Sequence, residues 1–536
     1  MAHRGRGLVV GPANAMIRTK KRSLACRAEA RELVWPDQGS GAPEMEELAR
    51  ALRVKNPQES MLRLSEVLDR STALFRNSPD FAIPEIRFSQ IEDGRLPYFA
   101  TRQINRRGVV VVRGVVPADT ALRWRDSLLE YLETNGLGDC PPGVRDVFWS
   151  QAQAQARENL GVRQVLAALN RLWKPDAHSP VDLTKSLSFC DRAFVGNPTC
   201  SSLRGRESAV MAGGTGGSQR WLSPHHSQAY RDIFEGRWED WDPFKAGPRM
   251  RAAEQAVCSW GGDESSSSSG SSADGGDAGD GGGHTPQPFR PFQGFLSFGR
   301  WGEVGNVHVV PMMRVATAFT LLRPFMPDAL EADAAERDWL CGAGEGPELP
   351  LSPKWHQPIL DALVRLPPLS PGDAVFYHTD IIHCEAGAID AAGPSPGDAD
   401  RTHDSAGAAP QSPFGSGGPG GRGDDDGIGQ LHSANFAGVQ LSCLPICGAN
   451  SSYVKAQREA FAAGAHPPAF TPVRGGGGGA GSGVVDAEEA GFAGRSSKEE
   501  LTRGGRRAMG MERYKKEHYN AALDEHHNLL DIPYSW

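Results

Sequence analysis

Apolar positions along the chain follow two rhythms. Over residues 44–76, Met61, Leu62, Leu64, Val67, Leu68 and Leu74 recur at helical spacing, and Pro79 and Pro84 close the run, which predicts a helical region. From Arg107 to Val116 the rhythm changes to a valine-rich run, the mark of a buried strand. Pro117, Ala118 and Asp119 then open a predicted helix that reaches Glu133, with Ala121, Trp124, Leu128 and Leu132 along it. Val162, Val165, Leu166, Leu169, Leu172 and Trp173 mark another amphipathic helix. Farther on, Phe292 to Phe298, Val307 to Val310, Arg314 to Arg323, 373–378 and 436–444 read as strands, and 453–463 as a helix packed outside them. These strands supply most of a jelly roll, so the pattern predicts an α+β fold with a double-stranded β-helix (jelly-roll, cupin-like) core and flanking helices.

Several stretches interrupt the pattern. Residues 262–286 are rich in serine, glycine and aspartate, 390–430 are similar, and 474–483 are nearly all glycine. None can bury enough apolar surface to fold, so they are expected as loop inserts and a linker. The chain then divides into a basic segment over 1–30, a helical region over 44–100, the jelly-roll domain over 101–461, and a linker with a C-terminal extension over 462–536. Residues 1–28 carry Arg4, Arg6, Arg18, Lys20, Lys21, Arg22 and Arg27 and no acid. That composition suits a transit segment for a chloroplast or mitochondrion, the alternative being a basic tail on a cytoplasmic protein.

Composition narrows the function classes. The net charge of -8, with no basic stripe among aromatics, argues against a nucleic-acid partner. No apolar run approaches the length of a membrane-spanning helix, so no membrane partner is expected. The nine cysteines are scattered and lack zinc-type paired spacing, which reads as reduced thiols.

The candidate chemistry lies in Ser370 to Glu385, SPGDAVFYHTDIIHCE. Pro371-Gly372-Asp373 signals a turn, Ala374 to Tyr377 a short buried strand, and His378, Asp380 and His383 follow. Two imidazoles and a carboxylate this close are the ligand set of a 2-His-1-carboxylate iron site. On an extended strand His378 and Asp380 share a face, whereas His383 joins them only across a bend or bulge. The bland alternative is a strand end with satisfied polar groups.

The Pro-Gly-Asp turn, apolar strand, histidine and second histidine in Ile381-Ile382-His383 resemble the distal-histidine segment of phytanoyl-CoA-hydroxylase-like iron(II)/2-oxoglutarate dioxygenases. VVVVRGVVP (109–117), ALNRLWK (168–174), IFEGRWEDWDPF (233–244), FQGFLSF (292–298), RVATAFTLLRPF (314–325), YVKAQREAF (453–461) and GRRAMGMERY (505–514) resemble a related branch, the domain of unknown function 1479 family. The resemblance implies an oxygenase barrel using Fe(II) and 2-oxoglutarate on a small organic substrate, with His383 as the distal ligand. His378 and Asp380 would then orient His383 or ligate in place of missing groups. It also implies a basic residue facing into the barrel to hold the distal carboxylate of 2-oxoglutarate. Arg314 and Arg323 are the candidates, and at nine positions apart only one can face inward on a regular strand.

The resemblance fails at one point. Before its Gly-Gly-Ser run the family carries a His-x-Asp pair, two of the three iron ligands. Here Gly216-Gly217-Ser218 is preceded by Gly213, Gly214 and Thr215, in a run from Cys200 that shows no strand pattern. Glycine has no side chain to bind metal, and a threonine hydroxyl is a poor iron(II) ligand beside a carboxylate. His225 and His226 fall on positions the family leaves variable and read as a surface turn, and His526 and His527 as a solvated helix face. Three possibilities follow: an active oxygenase whose sequence is altered around 200–215 by a splicing error, a catalytically inactive jelly-roll binding or scaffold protein, or a compact triad of His378, Asp380 and His383. Both cofactors depend on an intact site.

Overall fold

A computed structural model describes residues 45–138, 143–177, 179–195, 210–212, 227–260, 288–300, 306–332, 348–386, 437–470 and 489–512. The basic segment, Gly213 to Ser218, both histidine pairs, all three low-complexity tracts and the end of the chain lie outside these residues. Fourteen strands occur among them: β1 (Glu85–Arg87), β2 (Val109–Arg113), β3 (Gly143–Arg145), β4 (Asp182–Ser186), β5 (Ala193–Val195), β6 (Val210–Ala212), β7 (Phe292–Ser297), β8 (Asn306–Val309), β9 (Glu348–Pro350), β10 (Val364–Arg365), β11 (Ala374–His378), β12 (Ile382–Ala386), β13 (Ala437–Ser442) and β14 (Pro445–Ile446).

A seven-stranded sheet runs β1-β2-β11-β7-β13-β5-β3, and a five-stranded sheet runs β10-β8-β12-β6-β9, with β14 and β4 paired separately. All neighbours in the two larger sheets are antiparallel except β1 beside β2. The chain changes sheet between most consecutive strands: β11 lies in the larger sheet and β12, four residues later, in the smaller.

The valine run of β2 is continuous because the strand is covered on both faces. Val109, Val110, Val111 and Val112 are fully buried. The helix Tyr98–Arg107 leads into β2 through Gly108, whose φ of 77° closes the helix in the left-handed region. The turn before β11 is pinned the same way. Gly372 has φ 89°, and a Cβ there would lie 2.0 Å from the Val116 carbonyl oxygen, so only glycine fits. The Asp373 carboxylate then accepts the Gly114 and Ser370 N–H groups and pairs with Arg113, stapling the turn to β2.

Three expectations are corrected. Residues 314–323 are not a strand: Met313–Leu322 is a helix with every residue except Arg314 buried. With Thr317 and Thr320 buried alongside the apolar residues, the run shows no period to separate strand from helix, and its Ala, Leu and Met residues favour the helix. Its flanking helices are Pro57–Asn77 and Tyr98–Arg107. Within Cys200 to Thr215, Val210–Ala212 does form a strand, held by β12 and β9 on either side. Residues 489–512 are part of the packed body and not an appended extension: Leu501 and Met509 are buried with Phe148, Trp149 and Phe461. Among the described residues Cys190, Cys384, Cys443 and Cys447 are buried and outside any disulfide, and no helix is long and apolar enough to cross a membrane.

Candidate functional site

The segment from β11 to β12 carries the three residues that the sequence singles out, and the structure separates them into two places. His378 ends β11, its N–H donating to the Gly108 carbonyl at 2.7 Å. The chain then turns, with the Ile381 N–H on the His378 carbonyl at 2.9 Å, and β12 begins at Ile382.

His378 is fully buried in an aromatic box. Its ring stacks on Trp173 at 4.9 Å and 5°, and meets Phe244 and Phe292 edge-on. Nδ1 accepts the Asp380 N–H at 3.1 Å, which places the imidazole proton on Nε2. Burial pushes the imidazole down to about 3, overriding the attraction of the Asp380 carboxylate, so the ring is neutral.

Asp380, also fully buried, belongs to a charged cluster. Arg249, on the helix Ala246–Trp260, grips it bidentately, with Nη1 to Oδ1 at 3.0 Å and Nη2 to Oδ2 at 2.5 Å. The Tyr230 hydroxyl donates to Oδ1 at 2.8 Å. Burial alone would raise the carboxyl, but the Arg249 charge outweighs it and holds Asp380 below the usual carboxylate range. The same pairing holds Arg249 above its ordinary value against its own desolvation. The guanidinium lies between the Trp173 and Tyr230 rings, at 5.4 and 5.1 Å from their centroids.

His383 stands apart on β12, between Val210 of β6 and Val309 of β8 in the ladder, with its ring 5.0 Å from Tyr377. Its Nδ1 is buried and has no hydrogen-bond partner. The same is true of Nε2 of His378. His378 and Asp380 are thus brought together, at 3.7 Å, and His383 does not complete a ligand set with them. Among the described residues no three His, Cys, Asp or Glu groups converge on a metal position. Both Asp380 oxygens are already claimed by Arg249, so the compact triad finds no support in this geometry.

The two arginines put forward for 2-oxoglutarate sit elsewhere. Arg323 is spent on Asp328, at 2.8 and 2.5 Å, and on the Trp355 carbonyl at 2.9 Å. Arg314 lies in the first turn of Met313–Leu322, where its one hydrogen bond reaches the Glu239 carbonyl at 3.4 Å. As residues of a helix and the turn after it, neither is presented by a barrel strand. Sequence reasoning missed Arg249, Tyr230 and Trp173. Trp173 and Tyr230 stand in or near the matched blocks, but nothing in the local sequence around Arg249 marks a partner 131 residues away.

Together the geometry defines a mixed helix-and-sheet protein in which two largely antiparallel sheets and their helices surround a buried Arg-Asp-Tyr-His cluster, with a separate buried histidine on the smaller sheet. The chain belongs to the Gig2-like family, whose profile matches residues 43–511. The uncharacterized protein YbiU of Escherichia coli is 28% identical over 324 residues, covering 57% of this chain and 69% of that one. The crystal structure of hypothetical protein JW0805 from Escherichia coli has a TM-score of 0.60 at 25% identity, covering 87% of this chain and 96% of that chain. That of the "Putative Oxidoreductase from Salmonella typhimurium LT2" has a TM-score of 0.61 at 24% identity, with coverage of 87% and 96%. GlcNAc Inducible Gene 2, GIG2 (DUF1479), from Candida albicans has a TM-score of 0.60 at 19% identity, with coverage of 90% and 92%.

Proposed function

We propose that the chain is a double-stranded β-helix protein of the iron(II)/2-oxoglutarate dioxygenase type whose metal-ligand set is incomplete as the sequence stands. Strand order carries this reading. Taken along the chain, β5 to β13 fall in the larger, smaller, larger, smaller, smaller, smaller, larger, smaller and larger sheet, so that apart from the run β8-β9-β10 successive strands alternate between the two. That is the alternation produced when a long antiparallel hairpin is wound into two facing sheets, the jelly-roll path. On this path His383 is the second residue of the strand that neighbours β6, and in sequence β6 is followed directly by Gly213-Gly214-Thr215. The strand that carries the distal histidine therefore pairs with the strand from which the chain continues into the positions of the lost pair. The oxidoreductase description of the Salmonella neighbour agrees in class.

The residues present do not fit an iron(II) ion. His383 offers an unpartnered nitrogen, but Gly213 has no donor, Thr215 brings a hydroxyl without charge, and Asp380 is neutralised by Arg249. One neutral imidazole does not hold iron(II) tightly. The reading that follows is a barrel that binds a small organic molecule without oxidising it. The test is iron-dependent consumption of 2-oxoglutarate by the purified chain, beside Gly213→His/Thr215→Asp. No turnover by the parent, with iron binding gained by the double variant, is the expected result. Robust turnover by the parent would overturn the reading, and its loss in His378→Ala/Asp380→Ala would turn attention back to those residues.

A further inference from the structure

A second feature lies on the outside of the body, where the end of Tyr98–Arg107 meets the start of Met313–Leu322. A cleft of about 420 Å³ there is lined by Arg102, Arg106, Arg107 and Arg314, with Asn105 and Trp238 beside them, and by no acidic residue. We propose that this cleft binds a small phosphorylated molecule, held by the four guanidinium groups and the first turn of Met313–Leu322.

The arginines lack the partners that surface arginines usually find. No described carboxylate forms an ion pair with any of the four, although ion pairs are common elsewhere on the molecule. The Arg107 guanidinium carbon lies over the Phe75 ring at 4.5 Å and that of Arg102 over Tyr98 at 5.8 Å, cation–π contacts that engage the planar faces and leave the N–H edges for acceptors. The Nε atoms of Arg107 and Arg314 are buried without acceptors. Trp238 is more than nine-tenths buried, and its indole Nε1 also has none. Burial, with the Arg106 charge adding to it, pushes the Arg107 guanidinium down from its ordinary value.

Two helix ends sharpen the case. Arg106 and Arg107 sit in the last turn of their helix, where the dipole favours cations, and by themselves they need no ligand. Arg314 cannot be explained that way. It stands in the first turn of a ten-residue helix, at the positive end, where a cation is unfavourable. That helix has no side-chain cap, so its leading N–H groups also lack a side-chain acceptor. An anion in the cleft would answer both, accepting from backbone N–H groups as phosphates do at helix N-termini. Several guanidinium forks around one space suit the tetrahedral, multiply charged phosphate better than a single carboxylate. The volume suits a small molecule. The positive patch on a chain of net charge -8 is local, which points away from a nucleic-acid strand.

Isothermal titration of the full chain with inorganic pyrophosphate, at ionic strength fixed with sodium chloride, tests the proposal. Saturable one-to-one binding is expected, with Arg106→Gln/Arg314→Gln weakening it at least about tenfold. Arg314→Lys should retain more affinity than Arg314→Gln. If the double variant melts well below the parent, Arg102→Gln, an exposed position, makes the same comparison with a smaller expected loss. Absence of saturation below about 1 mM, or equal affinity in parent and variants, would overturn the proposal. So would binding that merely tracks ionic strength. None of these outcomes depends on iron or 2-oxoglutarate, so the cleft and the barrel stand or fall separately.

Discussion

Asp380 keeps its charge in the protein interior because Arg249 faces it fork to fork, with Tyr230 completing the shell. Removing one partner leaves the other charge buried and unpaired, which costs about 3–5 kcal/mol. Arg249→Met should therefore lower the urea midpoint sharply. Arg249→Met/Asp380→Asn should recover part of the loss, a coupling that a double-mutant cycle measures directly. His378 makes a different pH signature. Its folded value is about 3 against an ordinary value of about 6.5, so the unfolded chain binds a proton that the folded chain refuses. His356, buried and likewise pushed down to about 3, behaves in the same way. Stability is thus full above about pH 6.5 and falls as pH drops toward 3. Asp380, held below the usual range, adds its own loss only below about pH 3.9. His378→Phe keeps the stack on Trp173 but removes the titration. The slope of melting temperature against pH between about 6.5 and 4 should become shallower, and an unchanged slope would show that His378 is not its source.

At the scale of elements, legibility follows what each stretch had to disclose. β11 was readable because Pro371-Gly372-Asp373 announces a turn and Ala374 to Tyr377 follow as an apolar run too short for a helix. β2 and the helix after it were readable for similar reasons. Met313–Leu322 was not, since a stretch buried on all sides shows no period. β6 was hidden by its length, three residues between glycine- and serine-rich flanks, and is held by its neighbours more than by propensity. The site divides the same way. His378, Asp380 and His383 stood out as residue types, but which of them meet depends on a helix whose Arg249 arrives from far along the chain. The turn before β11 offers a clean test. Gly372→Ala would place a methyl 2.0 Å from the Val116 carbonyl at φ 89°, so the turn must open and drag β11 from β2. A loss of about 2 kcal/mol or more in chemical denaturation is expected. A variant as stable as the parent would mean that the turn relaxes without cost.

For the whole molecule, the C-terminal segment decides where the folded unit ends. Glu489 is fully buried and accepts three hydrogen bonds, from the Tyr131 hydroxyl at 2.6 Å and the Phe148 and Trp149 N–H groups at 2.7 and 3.2 Å. It closes a surface between the helix Ala118–Thr134 and the segment that leads into Gln151–Glu158. Arg495 then reaches the Phe461 carbonyl at 2.7 Å, and the Thr502 hydroxyl and N–H both donate to Glu158. Three anchors on three separate elements, with Leu501 and Met509 buried against Phe148, Trp149 and Phe461, are what a structural part of the body makes and a passive tail does not. Glu489→Ala leaves the Phe148 and Trp149 N–H groups and the Tyr131 hydroxyl buried without their acceptor, at about 1–3 kcal/mol for each group that water fails to reach. Truncation after residue 470 removes all the anchors and bares Phe148 and Trp149 together. The truncated chain should unfold at a markedly lower temperature and bind a hydrophobic dye in its folded state. The point variant should lose stability without the dye signal, because the segment remains docked through Arg495 and Thr502. A truncated chain that melts with the parent would place the boundary of the folded unit before Glu489.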